Sequence, residues 1–397
     1  MSVRQERIER LRAEIAELAP REAAALRAAG AVLIDVREAE ELVAGSPAGA
    51  VHLPRGFLEL RIEELVPELD RTVLLSCQTG LRSLFAADNL RRLGYRDVRS
   101  VAGGFARWRS EGLPIDLPRG LSTQERERYG RHLLVPGVGE SGQRKLLDAR
   151  VLLVGAGGLG SPAALYLAAA GVGHLRVVDF DVVERSNLQR QILHADDRIG
   201  QGKAESARRS LLALNPGIAV EPIAVRLDAT NVEALMADCQ VVLDGTDNFA
   251  TRYLVNDACV KLGIPNVHGA IHRFEGQVST FWPQSPGRRG PCYRCLFPSP
   301  PPADLAPNCA EAGVLGVLPG VIGTLQAVET IKLILGLGDP LVGRLLVYDA
   351  LAARFFELEQ ARDPSCARCA DGRTDSAYES VETSCAPAAV GRLPGSG

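Results

Sequence analysis

The feature that most constrains the fold of this 397-residue chain is a glycine-rich turn between two apolar segments. Gly155-Ala-Gly157-Gly158-Leu-Gly160 follows the apolar run VLLV and precedes the helical pattern SPAALYLAAAG. A strand, a glycine turn and a helix in this order bring backbone amides and a helix N-terminus close to a phosphate. Asp179 ends the next apolar run, where a carboxylate suits the ribose hydroxyls of a nucleotide. By itself the motif is compatible with a nucleotide or a dinucleotide.

The alternation of strands and helices after Arg150 predicts an α/β domain. The strand-like runs VLLVG, LRVVD and QVVLDG are separated by helical patterns, which is typical of a doubly wound, mostly parallel sheet. From 274 to 281 and from 344 to 358 the pattern becomes β-rich, with a proline-rich segment at 285–307 between them. We therefore expect a Rossmann-like doubly wound domain with added antiparallel strands.

A smaller α/β domain is expected ahead of it, because 397 residues exceed what one hydrophobic core usually serves. The β-branched runs AVLIDV, TVLLSC and DVRSV alternate there with amphipathic stretches. The expected organisation is an N-terminal helix at 1–18, the smaller domain at 19–116, a linker at 117–124, the larger domain at 125–371 and a disordered tail at 372–397.

Charge and hydropathy give no reason to expect a nucleic-acid or membrane partner. The formal net charge is −3, so no basic excess indicates nucleic-acid binding. The most apolar stretch, Pro319 to Gly338, contains Glu329 and Lys332 and predicts a buried helix rather than a membrane span. The first residues are charged and helix-periodic, unlike a secretory signal, and we expect a cytoplasmic protein.

Polar residues beyond the glycine turn favour a triphosphate. Asn187, Arg190 and Lys203 bring an amide and two cations into one segment. Asp244 and Asp247 follow another apolar run at its carboxyl end, where open α/β sheets bind ligands. Cations suit a triphosphate and a carboxylate suits Mg²⁺, so the pattern favours ATP with Mg²⁺.

An NAD-dependent oxidoreductase is the alternative from another enzyme class. It would need an acid–base group beside the nicotinamide, and His268 and His272 are the nearby candidates in the sequence. Each is better interpreted as a structural or surface histidine.

The nine cysteines indicate metal ligands or catalytic thiols rather than disulfides, because nothing predicts secretion. Cys239 and Cys259 lie in apolar patterns and are expected in the core. Two pairs with CxxC spacing suit one tetrahedral structural zinc site, which would join the proline-rich segment to the end of the larger domain: Cys292, Cys295, Cys366 and Cys369.

Cys77 stands in a loop that favours a reactive thiolate. The segment Cys77-Gln-Thr-Gly-Leu-Arg82 follows the strand-like run TVLLS and precedes the helical pattern SLFAADNLRRLG. A thiol there meets backbone amides, a helix N-terminus and the charge of Arg82, all of which favour the thiolate. Its position therefore predicts that Cys77 is a nucleophile.

Several motifs in order resemble the MoeB/ThiF/HesA family, the prokaryotic relatives of ubiquitin-activating enzymes. They include RYGRHLLVPGVGESGQRKLL, DFDVVERSNLQRQILH, GQGKAESA, DGTDN, PCYRCLFP and GVLPGVIGTLQAVETIK, and together they cover about residues 122–370. The site residues that the resemblance implies are Gly158 and Asp179 for the nucleotide, Asn187, Arg190 and Lys203 for the phosphates, and Asp247 with Asn248 for Mg²⁺.

The same resemblance implies a homodimer with structural zinc at the four CxxC cysteines. In this family an arginine ahead of the glycine turn reaches the neighbouring subunit's ATP site, and Arg131 matches it. Cys309 matches a cysteine thought to link transiently to the carrier in relatives with a fused rhodanese. For Cys309 a role as a small apolar side chain stays open.

Residues 19–116 resemble rhodanese domains through the motifs LIDVRE, GAVHLP and VAGGFARW. The resemblance implies that Cys77 carries a persulfide taken from a persulfide sulfur donor. Relatives usually carry this domain after the activating domain, whereas here it comes first.

Together the resemblances imply ATP-dependent adenylation of the C-terminal glycine carboxylate of a small ubiquitin-like sulfur-carrier protein that ends in Gly-Gly, with sulfur transfer from Cys77. The small subunit of molybdopterin synthase is the most closely implied carrier. Carriers for thiamine, cysteine biosynthesis or tRNA thiolation are alternatives, and a non-catalytic carrier-binding scaffold is a further hypothesis.

Overall fold

A computed structural model describes residues 3–117, 120–287, 289–300, 313–370 and 377–378. The chain divides into two compact units, Met1–Ser122 and Thr123–Gly397. The division falls inside the segment predicted as a linker, residues 117–124.

The first unit is built from short strands and helices in alternation. Its helices are α1 (Val3–Glu14), α2 (Pro20–Ala28), α3 (Leu58–Leu65), α4 (Leu81–Arg92) and α5 (Gly104–Ser110), with 3₁₀ turns at Ala39–Ala44 and Arg55–Phe57. Its strands are β1 (Glu17–Leu18), β2 (Val32–Asp35), β3 (Ser46–Pro47), β4 (Val51–His52), β5 (Val73–Ser76), β6 (Val98–Val101) and β7 (Ile115–Asp116).

Five of these strands form a parallel sheet in the order β1-β6-β5-β2-β4, and β3 pairs with β7 separately. The central strands are buried on both faces, because side chains alternate between two cores. Leu33 and Leu74 pack with Trp108 on one face, while Ile34 and Leu75 belong to the core on the other face. Since β5 lies at the centre of the sheet, the Cys77 loop at its carboxyl end has a rigid base.

The second unit has a larger mixed sheet. Its helices are α6 (Thr123–Arg128), α7 (Gly130–Leu133), α8 (Gly139–Asp148), α9 (Gly160–Ala170), α10 (Lys203–Leu214), α11 (Val232–Met236), α12 (Phe249–Leu262), α13 (Tyr293–Leu296) and α14 (Leu318–Leu335), with 3₁₀ turns at Arg185–Asn187 and Asp196–Arg198. Its strands are β8 (Arg150–Val154), β9 (His174–Val178), β10 (Ala219–Ile223), β11 (Val241–Asp244), β12 (Asn266–His272), β13 (Glu275–Phe281), β14 (Arg344–Asp349) and β15 (Arg354–Glu359).

The sheet order is β10-β9-β8-β11-β12-β13-β14-β15. The strands from β10 to β12 are parallel, and the pairs from β12 to β15 are antiparallel. The predicted α/β fold, a doubly wound sheet extended by antiparallel strands, is therefore confirmed. The carboxyl ends of β8, β9, β10 and β11 meet at one edge, which is where ligands of such sheets bind.

Helix α14 is long and apolar enough to cross a membrane by length and composition, but half of it is buried. It packs against α9, β12 and β13. Glu329 lies near the end of that packed region and accepts a hydrogen bond from the amide of Leu341 at 2.7 Å. The helix is thus a core element of this unit, as the charged residues within the apolar stretch predicted.

Candidate functional site

The glycine turn between β8 and α9 has the geometry of a phosphate-binding loop. Gly155 has a φ of +95°, which side chains rarely allow. A Cβ on Gly160 would lie 1.9 Å from the carbonyl oxygen of Gly155, so only glycine lets the helix start this close to the strand. Gly157 and Gly158, together with Gly155, line a cleft. The two outer glycines therefore shape the turn, and the two inner ones leave room for a ligand.

The cleft at this edge of the sheet, together with the open solvent at its mouth, has a volume of about 980 Å³. Most of the predicted nucleotide residues line it: Gly155, Gly157, Gly158, Asp179, Arg190, Lys203, Asp247 and Asn248. Asn187 is not among the lining residues. It is buried, and its Oδ1 accepts a hydrogen bond from the amide of Glu184 at 3.2 Å, which stabilises the 3₁₀ turn before Arg190.

Asp179 lies in the cleft beside the glycine turn. The amide of Ala156 donates to its Oδ2 at 2.8 Å, and the amide of Asp181 donates to its Oδ1 at 2.9 Å. Burial raises the pKa of Asp179 above its ordinary value, while these amides act in the opposite direction. The carboxylate is thus oriented by backbone contacts at the position predicted for a ribose hydroxyl.

Several cleft residues were not predicted from the sequence. Arg226 and Arg252 add two cations, and Asp181 accepts a hydrogen bond from Lys203 Nζ at 2.9 Å. The guanidinium of Arg252 also donates to the carbonyl of Thr246 at 3.0 Å. The sequence could have indicated these residues because they follow the carboxyl ends of strands β9, β10 and β11, where ligands bind.

His194 braces the glycine turn from behind. Its Nε2 hydrogen-bonds the carbonyl of Ala156 at 2.9 Å, and its Nδ1 accepts from the hydroxyl of Ser206 at 2.9 Å. Burial lowers the pKa of His194 to about 4, so the ring is neutral at physiological pH and Nε2 carries the proton. Ala156 is therefore held at its carbonyl by His194 and at its amide by Asp179.

Asp244 has a structural role at the end of β11. Its Oδ2 is 3.0 Å from Nδ1 of His268, and its Oδ1 accepts from the amide and hydroxyl of Thr246 at 3.0 and 2.6 Å. Burial opposes ionisation, but the hydrogen bond from His268 and the charge of Arg252 lower the pKa of Asp244 overall. Burial lowers the pKa of His268. His268 is buried and His272 is exposed, which agrees with the interpretation of each as a structural or surface histidine.

Arg131 is exposed on α7 and is not among the residues that line the cleft of its own chain. The buried ring of Tyr129, two residues earlier, anchors this segment: its hydroxyl accepts from Asn215 Nδ2 at 2.9 Å. Gly171 gives the ring room, since a Cβ there would lie 2.6 Å from it.

The four CxxC cysteines meet in one cluster. Their sulfurs all lie within 4.8 Å of one another. The Sγ atoms are 3.9 Å apart for Cys292 and Cys295, 3.6 Å apart for Cys292 and Cys366, and 3.4 Å apart for Cys295 and Cys369. Tetrahedral zinc with bonds of about 2.3 Å needs sulfurs about 3.8 Å apart, so the donor set and its spacing fit this ion.

One aspartate on α12 holds both halves of the cluster. Each CxxC pair contains an arginine, and both arginines reach Asp257. Arg294 donates two hydrogen bonds of 2.9 Å to the carboxylate, whereas Arg368 donates to the backbone carbonyl at 2.7 and 3.2 Å. Asp257 is 2% exposed. This convergence was not predicted from the sequence.

In the first unit, Cys77 lies at the base of its loop with its side chain buried. The amides of Gly80 and Ser83 donate to its Sγ at 3.2 and 3.4 Å, which confirms the backbone contacts expected there. A Cβ on Gly104 would lie 2.1 Å from the carbonyl oxygen of Cys77, so the start of α5 approaches the loop only because glycine stands there.

Arg82 closes this loop by pairing with a carboxylate that sequence analysis did not identify. Its Nη1 and Nη2 donate to the two oxygens of Glu41 at 2.6 Å each. The hydrogen bond from Arg82 lowers the pKa of Glu41 to about 2. Asp35 and Arg37 form a second pair, with a contact of 2.7 Å, and both are fully buried. Arg37 also donates to Gln78 of the loop at 3.2 Å.

The remaining cysteine predictions divide by location. Cys239 and Cys259 are buried in the core, as predicted, and burial raises the pKa of each thiol. Cys309 lies outside the described residues, as does the predicted disordered tail apart from Ala377 and Tyr378. The hydroxyl of Tyr378 donates to Glu233 at 2.8 Å.

Residues 129–368, which build the cleft and contain three of the four clustered cysteines, match the ThiF family. The chain belongs to the ThiF family. Residues 19–111 match the rhodanese-like domain. Both family resemblances inferred from the motifs are therefore confirmed.

Curated relatives match about two thirds of this chain. The SAMP-activating enzyme E1 of Haloferax volcanii is 53% identical over 64% of this chain and 93% of its own length. A sulfur carrier protein adenylyltransferase of Thermus thermophilus is 51% identical over 66% of this chain and 97% of its own length. The probable adenylyltransferase/sulfurtransferase MoeZ of Mycobacterium tuberculosis is 51% identical, and the match spans 64% of this chain and only 66% of MoeZ.

Solved structures share the fold of the second unit at lower identity. A crystal structure of E. coli MccB superposes with a TM-score of 0.54 at 24% identity, covering 63% of this chain and 75% of MccB. A structure of PaaA has a TM-score of 0.52 at 23% identity, over 68% and 82% of the two chains. These similarities concern the fold alone.

Proposed function

We propose that this protein adenylates the C-terminal glycine carboxylate of a small ubiquitin-like sulfur-carrier protein and supplies it with sulfur through Cys77. The observation that carries the proposal is a single cleft that combines the glycine turn, Asp179, Asp247 and four cations. Relatives about half identical over the ThiF segment are named adenylyltransferase and sulfurtransferase, which supports the same chemistry here.

In this reaction the protein mainly has to position the carrier carboxylate and ATP and to neutralise the charge of the phosphates. An oxygen of the carrier carboxylate attacks the α-phosphorus of ATP, the bond to the bridging oxygen breaks, and pyrophosphate leaves the acyl adenylate. Arg190, Lys203, Arg226 and Arg252 surround the cleft with positive charge, which suits a triphosphate better than a nicotinamide. These charges therefore disfavour an NAD-dependent oxidoreductase as the main function.

We also propose that Asp247 holds Mg²⁺. Its carboxylate lines the cleft, and oxygen ligands suit this ion. Asn248 lies beside it, although its Oδ1 already accepts from the amide of Thr251 at 2.9 Å and caps α12. When bound, the ion would neutralise charge on the phosphates.

Cys77 is proposed to take a sulfur atom from a persulfide donor and pass it to the activated carrier. The backbone amides at its Sγ and the loop that Arg82 closes support a sulfur carrier at this position. Among carriers, the small subunit of molybdopterin synthase is the first candidate, with carriers for thiamine or tRNA thiolation as alternatives.

The decisive experiment is ATP–pyrophosphate exchange with a panel of small carriers that end in Gly-Gly. Exchange should occur with at least one carrier, disappear in Asp247→Ala, and persist in Cys77→Ala, because the thiol acts after adenylation. Asp197→Ala, an exposed carboxylate outside the cleft, is the matched control and should retain exchange. Exchange that survives in Asp247→Ala would contradict the assignment, and carrier binding without any exchange would favour the scaffold hypothesis.

A homodimer in which Arg131 completes the partner's cleft is a further part of the proposal. It is supported by the exposed position of Arg131 outside its own cleft. Arg131→Ala and Asp247→Ala should each be inactive alone. After the two variants are mixed and reassociated, about a quarter of the wild-type activity should return, because half of the dimers then contain one intact site. An inactive mixture would indicate that Arg131 does not act across the interface.

We propose that the four-cysteine cluster binds one structural zinc ion per chain and that the protein works in the cytoplasm. Both proposals require thiols that stay reduced, as they do in the cytosol. The four clustered cysteines could then bind zinc as thiolates, and Cys77 could carry sulfur. Metal analysis of the purified chain should find zinc, and cell fractionation should recover the protein with cytosolic markers. Zinc unchanged after replacement of Cys366 and Cys369 by serine would contradict the site.

A further inference from the structure

A serine hydroxyl completes the donor set around the sulfur of Cys77. Besides the amides of Gly80 and Ser83, the hydroxyl oxygen of Ser83 lies 3.5 Å from Sγ, within hydrogen-bond distance for sulfur. Cys77 and Ser83 both have 0% exposure, so water does not compete for this contact. The sulfur therefore faces two amide donors and, in contact range, a hydroxyl group that could act as a third donor in a dry site.

A second serine, Ser100 on β6, orients the first. Its hydroxyl donates to the hydroxyl oxygen of Ser83 at 2.8 Å, and Ser100 is also fully buried. The Ser83 hydroxyl has one proton and two acceptors within reach, the carbonyl of Gly80 at 3.0 Å and Sγ of Cys77 at 3.5 Å. Because an ionised acceptor attracts a donor more strongly than a neutral one, negative charge on Sγ should draw that proton toward the sulfur.

We propose that Ser83 is a catalytic residue of the sulfur-transfer step and that Ser100 is its positioning residue. This inference rests on the proposed role of Cys77 as the persulfide carrier. When the outer sulfur is transferred, the S–S bond of the Cys77 persulfide breaks and its electron pair stays on Sγ. The Ser83 hydroxyl, polarised by Ser100, then stabilises the thiolate that leaves.

Cyanide gives a balanced test reaction for this step. The Cys77 persulfide is formed with thiosulfate, which releases sulfite, or with glutathione persulfide, which releases glutathione. After desalting, cyanide attacks the outer sulfur, a C–S bond forms, the S–S bond breaks, and thiocyanate and the Cys77 thiolate are the products. The single-turnover rate of thiocyanate release by the full-length chain measures how well the thiolate is stabilised.

The chain offers a matched control beside the reactive thiol. Ser76 precedes Cys77 and is fully buried, but its hydroxyl has no hydrogen-bond partner in the described part of the chain. We expect thiocyanate release to fall about tenfold in Ser83→Ala, which corresponds to a loss of about 1.4 kcal/mol and lies near the lower limit for a hydrogen bond to a charged group. Ser100→Ala should lower the rate about threefold, and Ser76→Ala should stay within about twofold of wild type.

A second readout separates thiolate stabilisation from altered packing. Alkylation of Cys77 by iodoacetamide should slow in Ser83→Ala near neutral pH and approach the wild-type rate at high pH, where every thiol is ionised. A variant whose packing is merely disturbed would lack this dependence on pH.

The outcomes are distinguishable. Wild-type rates in Ser83→Ala, or an equal loss in Ser76→Ala, would overturn the role of the hydroxyl. If Ser83→Ala unfolds, Ser100→Ala decides: a threefold loss supports the proposal and an unchanged rate overturns it. Failure of the wild-type chain to accept sulfur, or thiocyanate release that persists in Cys77→Ala, would instead refute the proposed role of Cys77.

Discussion

Replacing Asp257 by asparagine should destabilise the second unit strongly. The change removes the carboxylate charge between Arg294 and Arg368, whose side chains are only 7% and 3% exposed. Removing the carboxylate from a buried ion pair costs about 3–5 kcal/mol, because the two buried guanidinium groups lose the opposite charge that lay beside them. For a unit of this size each kcal/mol corresponds to about 2–4 °C, so the melting temperature should fall by about 6–20 °C.

Scanning calorimetry of the full-length chain, with a dye that reports released zinc, measures this effect. The transition of the rhodanese-like unit serves as an internal standard and should not move. Glu233→Gln is the matched control. Glu233 pairs at 2.7 Å with Lys261, which lies on α12 like Asp257, but this ion pair is exposed to solvent. Its transition should shift far less. A drop below about 2 °C in Asp257→Asn would refute the idea that this carboxylate holds the cysteine cluster.

Three further changes test other parts of the molecule. Burial lowers the pKa of His194 to about 4, below the ordinary value of 6.5 that applies to the unfolded chain. The contribution of His194 to the free energy of unfolding is therefore complete above pH 6.5 and decreases at lower pH, by about 2 kcal/mol at pH 5. Urea unfolding of His194→Gln at about pH 7 and pH 5 should show a weaker dependence. Gly160→Ala should lower ATP–pyrophosphate exchange at least about tenfold, whereas Gly202→Ala, where an added Cβ meets open space, should retain it. Chelation should release one zinc per chain and lower the second transition only, and Cys369→Ser should reproduce that loss.

Local patterns were sufficient for much of the fold. The glycine turn at Gly155, the alternation of buried strands and helices, and the β-rich segments near residues 274 and 344 correspond to β8–α9 and to the antiparallel strands β13 to β15. Each signal depends on neighbours in the chain: apolar periodicity, positive φ at glycine, or a helix that directly follows a strand. Such information is contained in a short window of sequence.

Contacts between distant segments were not predictable in the same way. Arg82 pairs with Glu41, which is 41 positions away, and His194 contacts Ala156, which is 38 positions away. The arginines that converge on Asp257 are up to 111 positions from it. A side chain's type does not specify which of many possible partners folding brings to it. Asn187 is a further example, since the sequence did not predict that its Oδ1 accepts a hydrogen bond from the amide of Glu184.

The sequence by itself determined the kind of chemistry in each segment: glycines and cations for a nucleotide, two CxxC pairs for a metal, and a thiol at the start of a helix for sulfur transfer. Only the tertiary structure decided which residues share a site. Strand order brings the ends of β8 to β11 to one edge, and packing on α12 brings sulfurs 74 positions apart to 3.6 Å. Burial also limits which polar residues become hydrogen-bond partners, because a polar group removed from water is costly unless it finds a partner within the fold.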